Sequence, residues 1–94
     1  MVKQDRQFWK DYGYVIRGKQ RRIVIKEMSK PMSVTEIKKK ASLSLSETSR
    51  VLRQFAKQGL AVCITPEHVQ GRIYQLSKRG EAVNKALLSQ EKEE

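Results

Sequence analysis

Ser33-Val-Thr-Glu36 and Ser44-Leu-Ser-Glu47 are two copies of one helix-start signature, eleven residues apart. In each, the serine hydroxyl can accept from the glutamate amide while the carboxylate reaches back to the serine amide. Two of the orphan N–H groups of a helix start are thereby satisfied. Starts this close leave room for only about two helical turns, over Val34 to Ala41, and then a turn at Ser42-Leu-Ser44. The first helix would bury Ile37 and Ala41 and expose Lys38, Lys39 and Lys40. Successive helical residues point about 100° apart, so at most two of these lysines can serve the same surface. The second helix is expected over Leu45 to Gln58. Leu45, Thr48, Leu52 and Phe55 would form its inward stripe, with Ser46, Glu47, Arg50, Arg53, Gln54 and Lys57 outward. Gly59 stands where a left-handed residue should stop it.

The flanking segments complete a pattern. Upstream, Arg21, Val24, Ile25 and Met28 fall at helical spacing within a helix expected from Tyr14 to Met28, with Lys19, Arg22 and Lys26 facing out. Gly13 suggests a break before it, and Ser29-Lys-Pro31 an end, because the residue before proline avoids helical geometry. Met32 to Val34 is short enough for a single β-bridge. Downstream, Leu60 to Ile64 and Arg72 to Leu76 read as two strands of a hairpin, with Thr65 to Gly71 as its tip. A last helix after Ser77 carries Val83, Ala86 and Leu87. The expected fold is mainly α within the α+β class: a winged helix-turn-helix with a three-helix core, a two- to three-stranded β-wing and a C-terminal helix. Its parts would be an aromatic arm (1–13), the winged-helix domain (14–76), the C-terminal helix (77–90) and a frayed acidic tail (91–94).

Composition narrows what such a fold can do. The chain has 94 residues and a net charge of +10. Nearly all of that excess lies in residues 17–57, where twelve Lys and Arg stand against Glu27, Glu36 and Glu47, a net of +9. A field this concentrated attracts polyanions. With 32% charged residues and no apolar run longer than Leu60 to Ile64, nothing can span a bilayer. The basic block offers no long amphipathic helix for a membrane surface. Cys63 is the only cysteine and His68 the only histidine, so no disulfide framework, metal site or nucleophile–base pair is expected. Cys63 reads as a core thiol and His68 as a solvated tip residue. Neither a Gly-rich phosphate loop nor a paired-carboxylate site occurs. The expectation is a cytoplasmic, nucleoid-associated, non-catalytic protein with no cofactor.

The ordered set from Pro31 to Leu76 resembles the winged helix-turn-helix domain of the MarR and ArsR superfamily of transcriptional regulators. The resemblance rests on Thr35-Glu-Ile37, the small-residue turn, Leu52 in the second capped helix and the Gly59-Leu60 stop. Val62 to Glu67 and Gly71 to Gly80 are similar to the wing and exit of small archaeal members, and Val15 to Arg21 extends the match. It implies double-stranded DNA as partner. Ser46, Glu47, Ser49, Arg50 and Arg53 would take recognition-helix positions, Ser33, Thr35 and Lys57 phosphate-side positions, and Arg72 the wing position. Gln54 on the same helix face and Gln70 in the tip complete the candidate set. A reading helix in the major groove suits this arrangement, with Arg50 and Arg53 directed at guanine or phosphate and the wing at the neighbouring backbone or minor groove. Glu47 departs from the pattern: it either completes the cap or accepts from a cytosine amine. Phe8, Trp9, Tyr12 and Tyr14 are four of the six aromatics, and lying outside the basic block they suggest core or dimer packing rather than base stacking. A homodimer is expected, using that arm and the last helix (Val83, Ala86, Leu87, Leu88). Two other readings remain: an architectural protein that coats DNA without sequence preference, and a protein-interaction module.

Overall fold

Both serine–glutamate boxes form. In a computed structural model describing residues 6–69 and 71–92, Ser33 Oγ accepts from the Glu36 amide at 3.2 Å while the Glu36 carboxylate accepts from the Ser33 amide at 2.9 Å. The Ser44–Glu47 pair repeats this at 3.1 and 3.0 Å. They open α3 (Val34–Ala41) and α4 (Leu45–Gln58). Ser42 and Gly59 close these helices in the left-handed region, with φ of 58° and 80°. Before them lie α1 (Arg6–Ile16), α2 (Lys19–Glu27) and β1 (Met32–Ser33); after them come β2 (Ala61–Cys63), β3 (Ile73–Leu76) and α5 (Lys78–Lys92).

The three strands form one antiparallel sheet in the order β1-β3-β2, with Met32 opposite Tyr74 on one side of β3 and Ala61 opposite Leu76 on the other. Helices α2, α3 and α4 enclose Val24, Ile25, Ile37, Leu52 and Phe55, none of which is exposed, and Leu60 and Val83 join them from the wing base and from α5. This is the winged helix-turn-helix arrangement: a three-helix core, a small sheet and a C-terminal helix. Among the described residues no helix is long and apolar enough to cross a membrane.

The ends of the chain depart from expectation. Gly13 breaks nothing, since α1 runs through it; a side chain at Gly13 would meet open space, and packing against α5 holds the helix there. The turn falls at Arg17-Gly18 instead, where Gly18 is extended and precedes α2. The aromatic segment is thus a helix. Phe8 and Tyr12 pack on the core with their rings stacked 5.8 Å apart, while Trp9 stays 62% exposed. Residues 1–5 lie outside the described residues.

Helix α5 reaches Lys92, and its Glu91 pairs with Lys26 of α2. The acidic tail expected at 91–94 therefore begins inside a helix, and residues 93–94 lie outside the described set. Val83 and Leu87, expected to be available to a partner, are buried in this chain's own core, because α5 packs across α1, α2 and β3. In α4, Leu45 leaves the inward stripe and is 53% exposed, while Val51 takes a buried place beside Thr48, Leu52 and Phe55. The first turn of α4 projects past the core, so helical spacing alone misplaces Leu45.

Candidate nucleic-acid interface

Helix α4 is amphipathic with a sharp division. Its buried stripe grips the core, and its outer face carries exposed Ser46, Arg50, Arg53 and Lys57 with half-buried Ser49 and Gln54. Neither the Arg50 nor the Arg53 guanidinium, nor the Lys57 ammonium, donates a hydrogen bond to the described residues. Arginine offers five N–H donors in a planar fork and lysine three, so this face presents many unused donors on a rigid helix.

The capping box sets what Glu47 can do. One carboxylate oxygen accepts from both the amide and the hydroxyl of Ser44, at 3.0 and 3.1 Å. The other accepts from Gln20 Nε2 of α2 at 2.9 Å. The Ser44 amide, then the Ser44 hydroxyl, the Gln20 amide and the Arg50 charge hold the carboxyl below the usual carboxylate range. Both oxygens are engaged within the chain. Glu47 is a cap that also ties α4 to α2, and its single charge leaves a face that carries Arg50, Arg53 and Lys57 net positive.

One flank of α4 forms a groove of about 510 Å³ with the start of α3 and the wing. Thr35, Ser49, Arg53 and Arg72 supply its polar lining, and Leu45 and Val69 its apolar lining. Ser33 stands beside it as the α3 cap with its hydroxyl taken by the Glu36 amide. The wing is held to this groove by the backbone. The Val34 amide donates to the Arg72 carbonyl at 3.1 Å, so the first residue of α3 is fastened to the wing base.

Within the tip, Thr65 Oγ1 accepts from the Ile73 amide at 2.9 Å and the Thr65 carbonyl from the His68 amide at 3.0 Å. Gly71 has a φ of 70°, a conformation disfavoured for any residue with a side chain. Arg72 Nε donates to the His68 carbonyl at 2.7 Å, which braces the loop and leaves its remaining donors at an exposed edge. The structure thus gathers Thr35, Ser49, Arg53 and Arg72 around one groove and places Ser46, Arg50, Gln54 and Lys57 along the adjoining helix. Gln70 lies outside the described residues. Cys63 is a half-buried free thiol and His68 is exposed. Among the described residues no group of three or more His, Cys, Asp or Glu is placed to hold a metal ion.

Sequence reasoning missed three participants. Leu45 was assigned to the core by its spacing, yet it lines the groove, where methyl groups can meet the methyl of a thymine. Val69, 88% exposed at the wing tip, gave no signal because isolated apolar tip residues are common. Gln20 reaches Glu47 across 27 residues, a contact that no local pattern encodes.

The sequence matches no protein-family profile and no curated protein. Solved structures do resemble the fold. A MarR family transcription regulator superposes with a TM-score of 0.70 at 21% identity, over 89% of this chain and 58% of that one. The multiple antibiotic-resistance repressor MarR from Listeria monocytogenes 4b F2365 gives 0.70 at 19% identity, over 88% and 59%. An ArsR family transcriptional regulator gives 0.59 at 20% identity, over 98% and 94%. The chain therefore spans under three-fifths of the length of the two MarR structures and nearly the whole of the ArsR one. What these likenesses establish is the fold: a winged helix of the kind found in MarR and ArsR regulators.

Proposed function

We propose that the protein is a double-stranded DNA-binding transcriptional regulator that seats α4 in the major groove and rests its wing on the adjacent backbone or minor groove. The observation that carries this reading is the outer face of α4. Arg50, Arg53 and Lys57 stand exposed on one helix, their side chains without hydrogen-bond acceptors among the described residues, in a segment with a net charge of +9. A helix with its side chains is 10–12 Å wide and the B-form major groove about 12 Å, so the face fits the groove. The narrow A-form groove of duplex RNA does not admit it. Arg50 and Arg53 take base-edge or nearby phosphate contacts, and Ser46, Ser49 and Gln54 supply shorter-range donors and acceptors. Thr35, Lys57 and Arg72 take phosphates, with Ser33 holding α3 at the backbone. The likeness in fold to MarR and ArsR regulators supports the same reading.

The regulator acts as a homodimer in this proposal. Trp9 and Ile16, 62% and 39% exposed, give α1 an apolar surface beyond what its own core uses. Two copies would present two reading helices to half-sites about one DNA turn apart. Sedimentation of the wild type and of Trp9→Lys reads the assembly: a dimer that the substitution splits supports this surface, and a wild-type monomer rules it out.

The decisive experiment is fluorescence anisotropy of labelled duplexes over a salt series, comparing a random pool with the same pool after rounds of selection. A sequence bound at least about a thousandfold tighter than the random pool supports the regulator. A steep salt slope without preference indicates an architectural DNA-coating protein. Absence of binding at low salt overturns the DNA reading and leaves a protein-interaction module. Arg53→Ala is expected to relax discrimination at one position by about 1–3 kcal/mol if it reads a base.

A further inference from the structure

The wing groove uses only one flank of α4. The other flank, carrying Arg50 and Gln54, faces the start of α2 across a second groove of about 340 Å³, whose far side carries Arg17 and Lys19. Its walls are pinned by the Gln20–Glu47 hydrogen bond. Arg21 also lines this groove, but its guanidinium is committed elsewhere. It donates to the Tyr14 carbonyl at 2.7 Å and lies 4.0 Å over the Tyr14 ring. Arg17, Lys19 and Arg50 are different: all three are exposed, and their side chains donate no hydrogen bond to the described residues. Among the described residues the neighbouring acid is Glu47, whose oxygens are held by its cap and by Gln20 and whose charge also acts on Arg50.

Three cations against the single Glu47 carboxylate leave the groove net positive, and a bound anion would relieve the repulsion among them. Resting on the DNA reading above, we infer that Arg17, Lys19 and Arg50 form a second phosphate-gripping groove, holding the DNA strand across the major groove from the strand held by α3 and the wing. The geometry favours a polymer backbone. The groove is shallow and runs along the flank of the reading helix. When a helix fills the major groove, a phosphate strand passes each of its sides. The two grooves then act as opposed jaws, and Arg17 and Lys19 contribute affinity without reading sequence.

The test is the double substitution R17A/K19A in the full chain, with Lys85→Ala on the exposed side of α5 as control. All three side chains are exposed, so melting temperatures are expected to match the wild type. Each lost phosphate contact flattens the log–log salt dependence by about 0.9, so the double variant's slope is expected to be shallower by about 1.8. With equal affinities at 1 M salt, that corresponds to binding about 30-fold weaker at 0.15 M. The ranking of DNA sequences stays unchanged. Neutral methylphosphonates placed singly along each strand should weaken the wild type at positions where the double variant no longer responds. Lys85→Ala should keep the wild-type slope.

A double variant with the wild-type slope overturns the second groove while leaving the DNA reading intact. Loss of the wild-type preference for particular sequences would assign Arg17 and Lys19 to base reading and overturn it as well. Saturable binding of inorganic phosphate, lost in the double variant without any change in the DNA slope, would assign the groove to a free anion instead. A wild type that does not bind DNA removes both proposals.

Discussion

The α3–α4 unit and the α1–α5 pair are built on opposite principles. The first is written in short range. Each helix starts with a hydrogen-bonded box spanning four residues and ends on a left-handed residue, so its boundaries follow from contiguous sequence. The second is written in long range. Asp11 of α1, almost fully buried, accepts from Arg79 of α5 through both carboxylate oxygens, at 2.8 and 3.0 Å across 68 residues. Gln90 donates to the Tyr12 hydroxyl, and Asn84 of α5 to the Ile25 carbonyl of α2. Arg79 also donates to the Gln58 carbonyl at the end of α4, which makes it the joint between the two regions. Helix α4 thus begins on a local box, with one tie to α2 through Gln20, and ends on a carbonyl held by the distant pair.

Substitutions in the long-range region should therefore cost more than those in the short-range one. The largest effect is expected at Gly80. A Cβ there would lie 2.1 Å from the Leu60 carbonyl oxygen, so α5 and the wing base could not keep their approach. Gly80→Ala is expected to lose about 3 kcal/mol in urea unfolding, despite the better helix propensity of alanine. A neutral result would show that α5 can shift freely and would erase the contrast.

Next comes the Asp11–Arg79 pair. Asp11→Ala strands a cation, but Arg79 is 43% exposed and can turn to water, so the cost falls below that of a fully buried pair, to about 2 kcal/mol. A double-mutant cycle with Arg79→Ala should return a coupling of about 1 kcal/mol. Additive single effects would mean that the pair is mere proximity.

The caps should cost less. Ser33→Ala and Ser44→Ala each remove one N-cap and are expected to lose about 1 kcal/mol. If the Ser44 effect exceeds that of Gly80, the division between the regions is wrong.

The smallest effect is a pH dependence. Because folding lowers the Glu47 carboxyl, its contribution is fully present above the ordinary glutamate pKa and is lost as pH falls through the lowered one. Glu47→Gln should remove this dependence, so the stability gap between wild type and variant should narrow on acidification from neutral pH. A gap independent of pH would mean that the ionised carboxylate adds nothing over the amide.

From β1 onward the order of elements, both caps, the Gly59 stop, the turn between α3 and α4, the wing and the concentration of charge could be read from contiguous residues, whereas α1 read as an arm. Each depends on hydrogen bonds or steric limits that act within a few positions, such as the Ser44–Glu47 box or the φ of Gly59. Packing decided the rest. The spacing of Leu45 placed it in the core, but it stands exposed in the first turn of α4 and lines the wing groove. Gly13 read as a break, but α1 continues through it because α5 supplies a face to lie against. Val83 and Leu87 read as partner surface, but α5 folds back and buries them at home. Lys19 read as an outward charge and Arg17 only as part of the basic block, and only the meeting of α2 with α4 brings them beside Arg50. A side chain's conformational start is set by its neighbours in sequence, whereas its burial and company depend on how whole helices cross, and that angle is a property of all the contacting faces at once.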